Sequence, residues 1–144
     1  MSKRKTIVAV IGGRECTKEV EQLTLELAKK LAKVADILVC GGLVGVMEHA
    51  CCGFKAGGGV TLGIIPGYDK EHANEFVDIV IPSGLGLARN VLVVKSARSG
   101  TLSEVAYCLQ FSIPVISFNS WDIPGVIKTK TIEQTIEEVR KRLK

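Results

Sequence analysis

Apolar positions along the chain switch repeatedly between two spacings. Thr6-Ile7-Val8-Ala9-Val10-Ile11 is an unbroken, largely β-branched run ending in Gly12-Gly13, which predicts a strand buried on both faces. Val20, Leu23, Leu27, Leu31 and Val34 then step by three and four, the period of a helix with one face on a core. Glu26 precedes Lys30 on its outer side, in the favourable i,i+4 order. A second strand, Ile37 to Cys40, runs into Gly41-Gly42-Leu43-Val44-Gly45, after which Val46, Met47, Ala50, Cys51 and Phe54 form another helical stripe. Gly57-Gly58-Gly59 closes that helix as a glycine C-cap would.

Val60 to Ile65, stopped by Pro66-Gly67, predicts a third strand, and Phe76 to Ile81 before Pro82 a short fourth. A polar loop, Tyr68 to Glu75, separates them. The later half predicts a helix over Thr101 to Gln110, a strand over Pro114 to Phe118 and a last helix over Thr131 to Leu143. That helix opens with a capping box, Thr131 and Gln134, and buries Ile132, Ile136, Val139 and Leu143. Strand alternating with helix makes this an α/β chain with a mainly parallel sheet covered on both faces. At 144 residues and 47% apolar content it is expected to form one domain over residues 1–144.

Charge and cysteine usage narrow the partners. The net charge is +4, and Lys3, Arg4, Lys5 with six basic residues from Lys128 to Lys144 supply nine of the nineteen cations. Aromatics are only 5%, too few for the stacking platform of a nucleic-acid surface. Cys16, Cys40, Cys51, Cys52 and Cys108 show no CxxC spacing and read as small core hydrophobes in a reducing cytoplasm. His49 and His72 are not spaced to complete a metal site with them, so neither metal nor resident cofactor is expected. No run of eighteen apolar residues occurs, so no membrane segment is expected.

The chemistry is expected where glycine turns follow strands, because ligands of parallel sheets bind beyond the carboxyl ends. Gly41-Gly42-Leu43-Val44-Gly45-Val46-Met47-Glu48 places main-chain N–H groups and a helix N-terminus where an anion would sit. Gly12-Gly13-Arg14, the Gly84 to Asn90 segment and Ser99 to Glu104 end at the same rim. Arg89 is suited to hold a phosphate or carboxylate bidentately. Glu104 has two readings. Thr101-x-x-Glu104 is a capping box, and a carboxylate in a first helical turn is also the group that cleavage of a glycosidic bond requires.

The segments GGxxGVME, AGGG-x-TLGIIPG, GLGLARN and SGTLSE, in that order over roughly residues 6 to 126, resemble the LOG, or lysine-decarboxylase-like, family. The likeness is greatest to its branch related to molybdenum cofactor carrier proteins. The resemblance implies a Rossmann-like three-layer fold, a homodimer and nucleotide phosphates bound at the glycine turns. It also implies phosphoribohydrolase activity, which splits nucleoside 5′-monophosphates into base and ribose 5-phosphate. By position Arg89 and Glu104 match the family's catalytic pair, and Gly100 and Thr101 match the GT of its PGGxGT element. Gly12, Gly13, Gly41, Gly42, Gly45, Met47, Glu48 and Asn90 are the further ligand-binding candidates. The chain departs from the family between Asn90 and Gly100, where Val91 to Ser99 must replace both a helix and a strand ending in PGG. Either Val91 to Ala97 is the helix or Val91 to Lys95 is the strand. The rival function is a carrier or sensor that binds molybdenum cofactor or another phosphorylated molecule without turnover. A third is single-stranded DNA binding, against which the scarcity of aromatics counts.

Overall fold

A computed structural model describes residues 4–84 and 99–143. In chain order the elements are β1 (Ile7–Ala9), α1 (Lys18–Leu31), β2 (Ile37–Cys40), α2 (Val46–Ala56), β3 (Val60–Ile65), β4 (Ile79–Pro82), α3 (Ser99–Gln110), β5 (Ile116–Phe118), β6 (Ile127–Thr129) and α4 (Ile132–Arg142). β1 to β4 form one parallel sheet in sequential order, with Ile7 opposite Ile37, Ile37 opposite Val60 and Leu62 opposite Ile79. β5 and β6 pair in parallel as a second, two-stranded unit. Together these make an α/β, Rossmann-like fold with flanking helices. Among the described residues, no helix is long and apolar enough to cross a membrane.

Alternation along each strand sorts the core into two faces. Val8 and Val10 turn with Leu38 and Cys40 toward α1, α2 and α4, where Leu27, Leu31, Phe54, Ile136 and Val139 complete the larger cluster. Ile11 points the other way and packs with Val105 and Cys108 of α3 and with Val115. The expectation of a first strand buried on both faces is corrected at Ile7, which is 54% exposed. Ile7 lies at the amino end of β1 on the face opposite Val8, out of reach of the larger cluster.

Local signals explain most boundaries. Thr17 caps α1 by accepting from Val20 N–H (3.4 Å), and Lys30 joins Glu26 (3.3 Å) while also reaching Glu133 of α4 (2.7 Å). Thr131 caps α4 by accepting from Gln134 N–H (3.2 Å). The return arm of the box is displaced by one residue, since Gln134 Oε1 accepts from Lys130 N–H (3.0 Å). β4 starts at Ile79 because Phe76 and Val77 are used earlier, in a turn where Asn74 Oδ1 accepts from Phe76 N–H (3.1 Å). β5 likewise starts at Ile116 and not at Pro114.

Two aspartates stitch the amino edge of the sheet. Asp36, just before β2, accepts from Thr6 N–H and Thr6 Oγ1 (both 2.8 Å). Asp78, just before β4, accepts from Thr61 N–H (2.9 Å) and Thr61 Oγ1 (3.1 Å) and pairs with Lys55 (2.7 Å). Burial works against the Asp78 carboxylate, but Lys55 and the Thr61 donors hold its pKa below the ordinary value. The Thr6 backbone and hydroxyl donors do the same for Asp36. A carboxyl depressed in the folded state stabilises fully above its unfolded pKa, and that stabilisation disappears as pH falls through the folded value. Denaturation midpoints measured from neutral to strongly acidic pH are therefore expected to fall more steeply for the native chain than for Asp36→Asn/Asp78→Asn, whereas parallel curves would show that these carboxylates carry no such linkage.

Candidate functional site

The two glycine turns after β1 and β2 interlock at the carboxyl edge. Val46 N–H, the first of α2, donates to Gly13 O (3.0 Å). A Cβ on Gly12 would strike the Val46 side chain, and one on Gly45 would strike the carbonyls of Gly13 and Arg14. Gly45 has φ of 73°, a backbone that side-chain-bearing residues rarely adopt. A Cβ on Gly41 would lie 2.8 Å from Met47 Sδ. At Gly12, Gly41 and Gly45 the space of the missing side chain is taken by protein.

Acceptors of the turn are turned inward and used. Asn74 donates its N–H to Gly42 O (2.8 Å) and its side-chain amide to Leu43 O (2.7 Å). Gly45 O accepts from His49 N–H (3.1 Å) and lies 2.9 Å from His49 Nδ1. Gly42 N–H meets Cys40 Sγ (3.3 Å). The N-cap Gly45 supplies no side-chain acceptor to the first turn of α2, so that turn keeps its positive character for an outside anion. Met47 is buried against Gly41 and faces the rim with backbone alone. Glu48 is half-buried in the same turn.

α3 brings the second set of candidates to the neighbourhood. Its Val105 and Cys108 pack on Ile11, the residue before Gly12. The helix begins at Ser99, so Gly100 and Thr101 lie in its first turn. Glu104 is half-buried at the sixth position. Its carbonyl accepts from Cys108 Sγ (2.9 Å), and burial, with the Glu104 charge second, pushes the Cys108 thiol to about 11. Arg89 and Asn90 lie outside the described residues, as do both alternatives for Val91 to Arg98.

Sequence reasoning missed two features of this edge. Asn74 lay in a stretch read as polar loop, although a single Asn among charged residues ahead of a strand was the available signal. Cys16 was assigned to the core, yet it is half-buried at the rim near Glu21 and His49, from 5 and 33 residues further along the chain. Burial, then Glu21 and Glu48, raises its thiol above the ordinary value. At the opposite, amino edge lies an open cavity of about 500 Å³ lined by Arg4, Lys5, Lys33, Asp36 and Arg140 among others. It is far from the strands' carboxyl ends, where ligands of this architecture bind.

These features define a parallel α/β protein whose interlocked glycine turns present a helix N-terminus at the carboxyl edge. The chain belongs to the SLOG cluster4 family, matched over residues 5–143. It is 34% identical over 139 residues to a protein of Archaeoglobus fulgidus, covering 91% of this chain and 89% of that one. Among solved structures it is similar to the molybdenum cofactor binding protein of the phototrophic bacterium Rippkaea orientalis, with 31% identity, TM-score 0.88 and coverage of 99% of this chain and 100% of that chain. It is also similar to the molybdenum cofactor carrier protein of Chlamydomonas reinhardtii, with 30% identity, TM-score 0.84 and coverage of 96% and 97%.

The interlock and the positive φ leave Gly45 no room for a side chain. Gly45→Ala is expected to lower unfolding free energy by at least about 1–3 kcal/mol, the scale of one strained backbone site, measured by urea titration. An unchanged midpoint would mean that the two turns do not hold each other.

Proposed function

We propose that this protein binds and carries molybdenum cofactor, holding a phosphorylated part of it at the carboxyl edge without cleaving it. The observation that carries this reading is similarity over essentially the whole chain, at 31% identity, to the Rippkaea orientalis molybdenum cofactor binding protein. The geometry supports it. The main-chain N–H groups of Met47 and Glu48 at the uncapped start of α2 meet the anion, and Gly12, Gly13, Gly41, Gly42 and Gly45 shape the floor. Gly100 and Thr101 at the start of α3 close the site, and Arg89 and Asn90 are the further ligand-binding candidates of this reading. Glu104 then only borders the ligand. A homodimer accompanies this reading, for which Leu102 and Tyr107 of α3 and Phe111 just after it, all exposed, supply apolar surface.

Hydrolysis of a nucleoside 5′-monophosphate is the second reading, favoured by the half-buried Glu104, the neighbour in sequence of Val105, which packs on Ile11. In it Glu104 stabilises positive charge at C1′ while water adds there and the base leaves with a proton.

One pair of assays separates them. The purified protein is expected to bind molybdenum cofactor in a calorimetric titration, with Arg89→Ala weaker by about 1.5–3 kcal/mol, the scale of a charge-assisted hydrogen bond. Incubation with AMP and with isopentenyl-AMP is expected to release no free base on chromatography. Release that vanishes in Glu104→Gln would establish the hydrolase instead, and absence of cofactor binding would overturn the carrier.

A further inference from the structure

Three metal-ligating side chains from separate parts of the chain meet beside the carboxyl edge. Cys16 sits just ahead of the cap of α1, Glu21 in the first turn of α1, and His49 is the fourth residue of α2. One donor atom from each lies within 4.8 Å of the other two, and all three residues are half-buried. His49 Nδ1 lies 2.9 Å from Gly45 O. A carbonyl can only accept, so Nδ1 carries a proton, and in the neutral imidazole the lone pair is then on Nε2, from which Glu21 Oε2 stands 3.9 Å away. A backbone carbonyl fixing the far nitrogen in this way is the outer-shell partner typical of a ligating histidine.

The same arrangement argues against a nucleophilic relay. In a Cys–His–carboxylate triad the imidazole contacts the thiol through one nitrogen and the carboxylate through the other. Here one nitrogen is engaged by backbone, Glu21 lies near the other, and Cys16 and Glu21 lie close to one another. The side chains converge on a point and do not form a chain.

The geometry points to a divalent metal site formed by Cys16 Sγ, a Glu21 carboxylate oxygen and His49 Nε2, suited to zinc or a similar borderline ion. Sulfur, imidazole and carboxylate are the donors such ions take. A tetrahedral ion with Zn–S of about 2.3 Å and Zn–N of about 2.0 Å sets its ligands about 3.6 Å apart, so side-chain rotations that move the donors by about 1 Å close the site. A thiolate and a carboxylate balance the charge of the ion, and Glu48 adds negative potential close by. Three protein ligands leave one position for water or an incoming donor. Because the glycine turn supplies the carbonyl that orients His49, the metal and the rim share a scaffold.

The test uses the full chain, stripped of metal by a chelator and titrated with Co²⁺ and then Zn²⁺, with no phosphorylated ligand present. One Co²⁺ per chain is expected, with a thiolate charge-transfer band in the near ultraviolet that Zn²⁺ displaces. Cys16→Ser is expected to abolish the band. His49→Gln is expected to weaken Zn²⁺ binding beyond the about tenfold cost of losing an outer partner. Cys52→Ser, at the other half-buried cysteine, leaves both unchanged. A missing band, a band that survives Cys16→Ser or is lost equally in Cys52→Ser, or unaltered Zn²⁺ affinity in His49→Gln would overturn the assignment. If circular dichroism shows that Cys16→Ser has not folded, Glu21→Gln decides: lost affinity supports the site and unchanged affinity overturns it.

Discussion

The hydrogen bond from Val46 N–H to Gly13 O, with Gly45 pressed against the Gly13 and Arg14 carbonyls, is the constraint on which the rest of the molecule depends. It joins the loop after β1 to the loop after β2 at the point where α2 begins. Neither loop can move without the other. Asn74 adds a third segment by clamping Gly42 and Leu43 from the approach to β4. The outcome is a rigid edge in which carbonyls are consumed by protein donors and the first turn of α2 has no side-chain cap. A preorganised set of donors is what a site for an anion needs, because no carbonyl must be pushed aside when the ligand arrives.

The two edges of the sheet are built by opposite means. At the amino edge, Asp36 and Asp78 accept from Thr6 and Thr61 and tie neighbouring strands together through side chains. At the carboxyl edge the ties run to the main chain of the glycine turns, from Val46 N–H, Asn74 N–H and the Asn74 side-chain amide. Where acids do occur near it, at Glu21 and Glu48, they stand beside Cys16 and His49. The proposed anion site and the proposed metal site would then share one loop.

Much of this was legible because the local and the tertiary preferences coincide. The run Val60 to Ile65 becomes β3 with those bounds, since an aliphatic run between Gly59 and Pro66 has no other way to bury itself. The glycine turn and α2 follow from the spacing of Val46, Met47, Ala50, Cys51 and Phe54, and all five are buried. β6 was not legible. Ile127-Lys128-Thr129 is three residues long in a polar stretch and exists through pairing with β5, which no local pattern announces. Sequence also shows that a Cβ is absent but not what fills its place, which at Gly12 is Val46 and at Gly45 the Gly13 and Arg14 carbonyls. Cys16, Glu21 and His49 escaped because metal spacing rules apply along one helix or loop, whereas these residues meet through the packing of α1 on α2.

The central claim is that an anion is received by the main chain at the start of α2. Amide chemical shifts followed by NMR while the protein is titrated with AMP test it directly. The account predicts saturable shifts at the amides of Gly45, Met47 and Glu48, with those of Lys5 and Lys33 unmoved. Shifts centred on Arg4, Lys5, Lys33 and Arg140 at the amino edge, with the α2 amides silent, would contradict it.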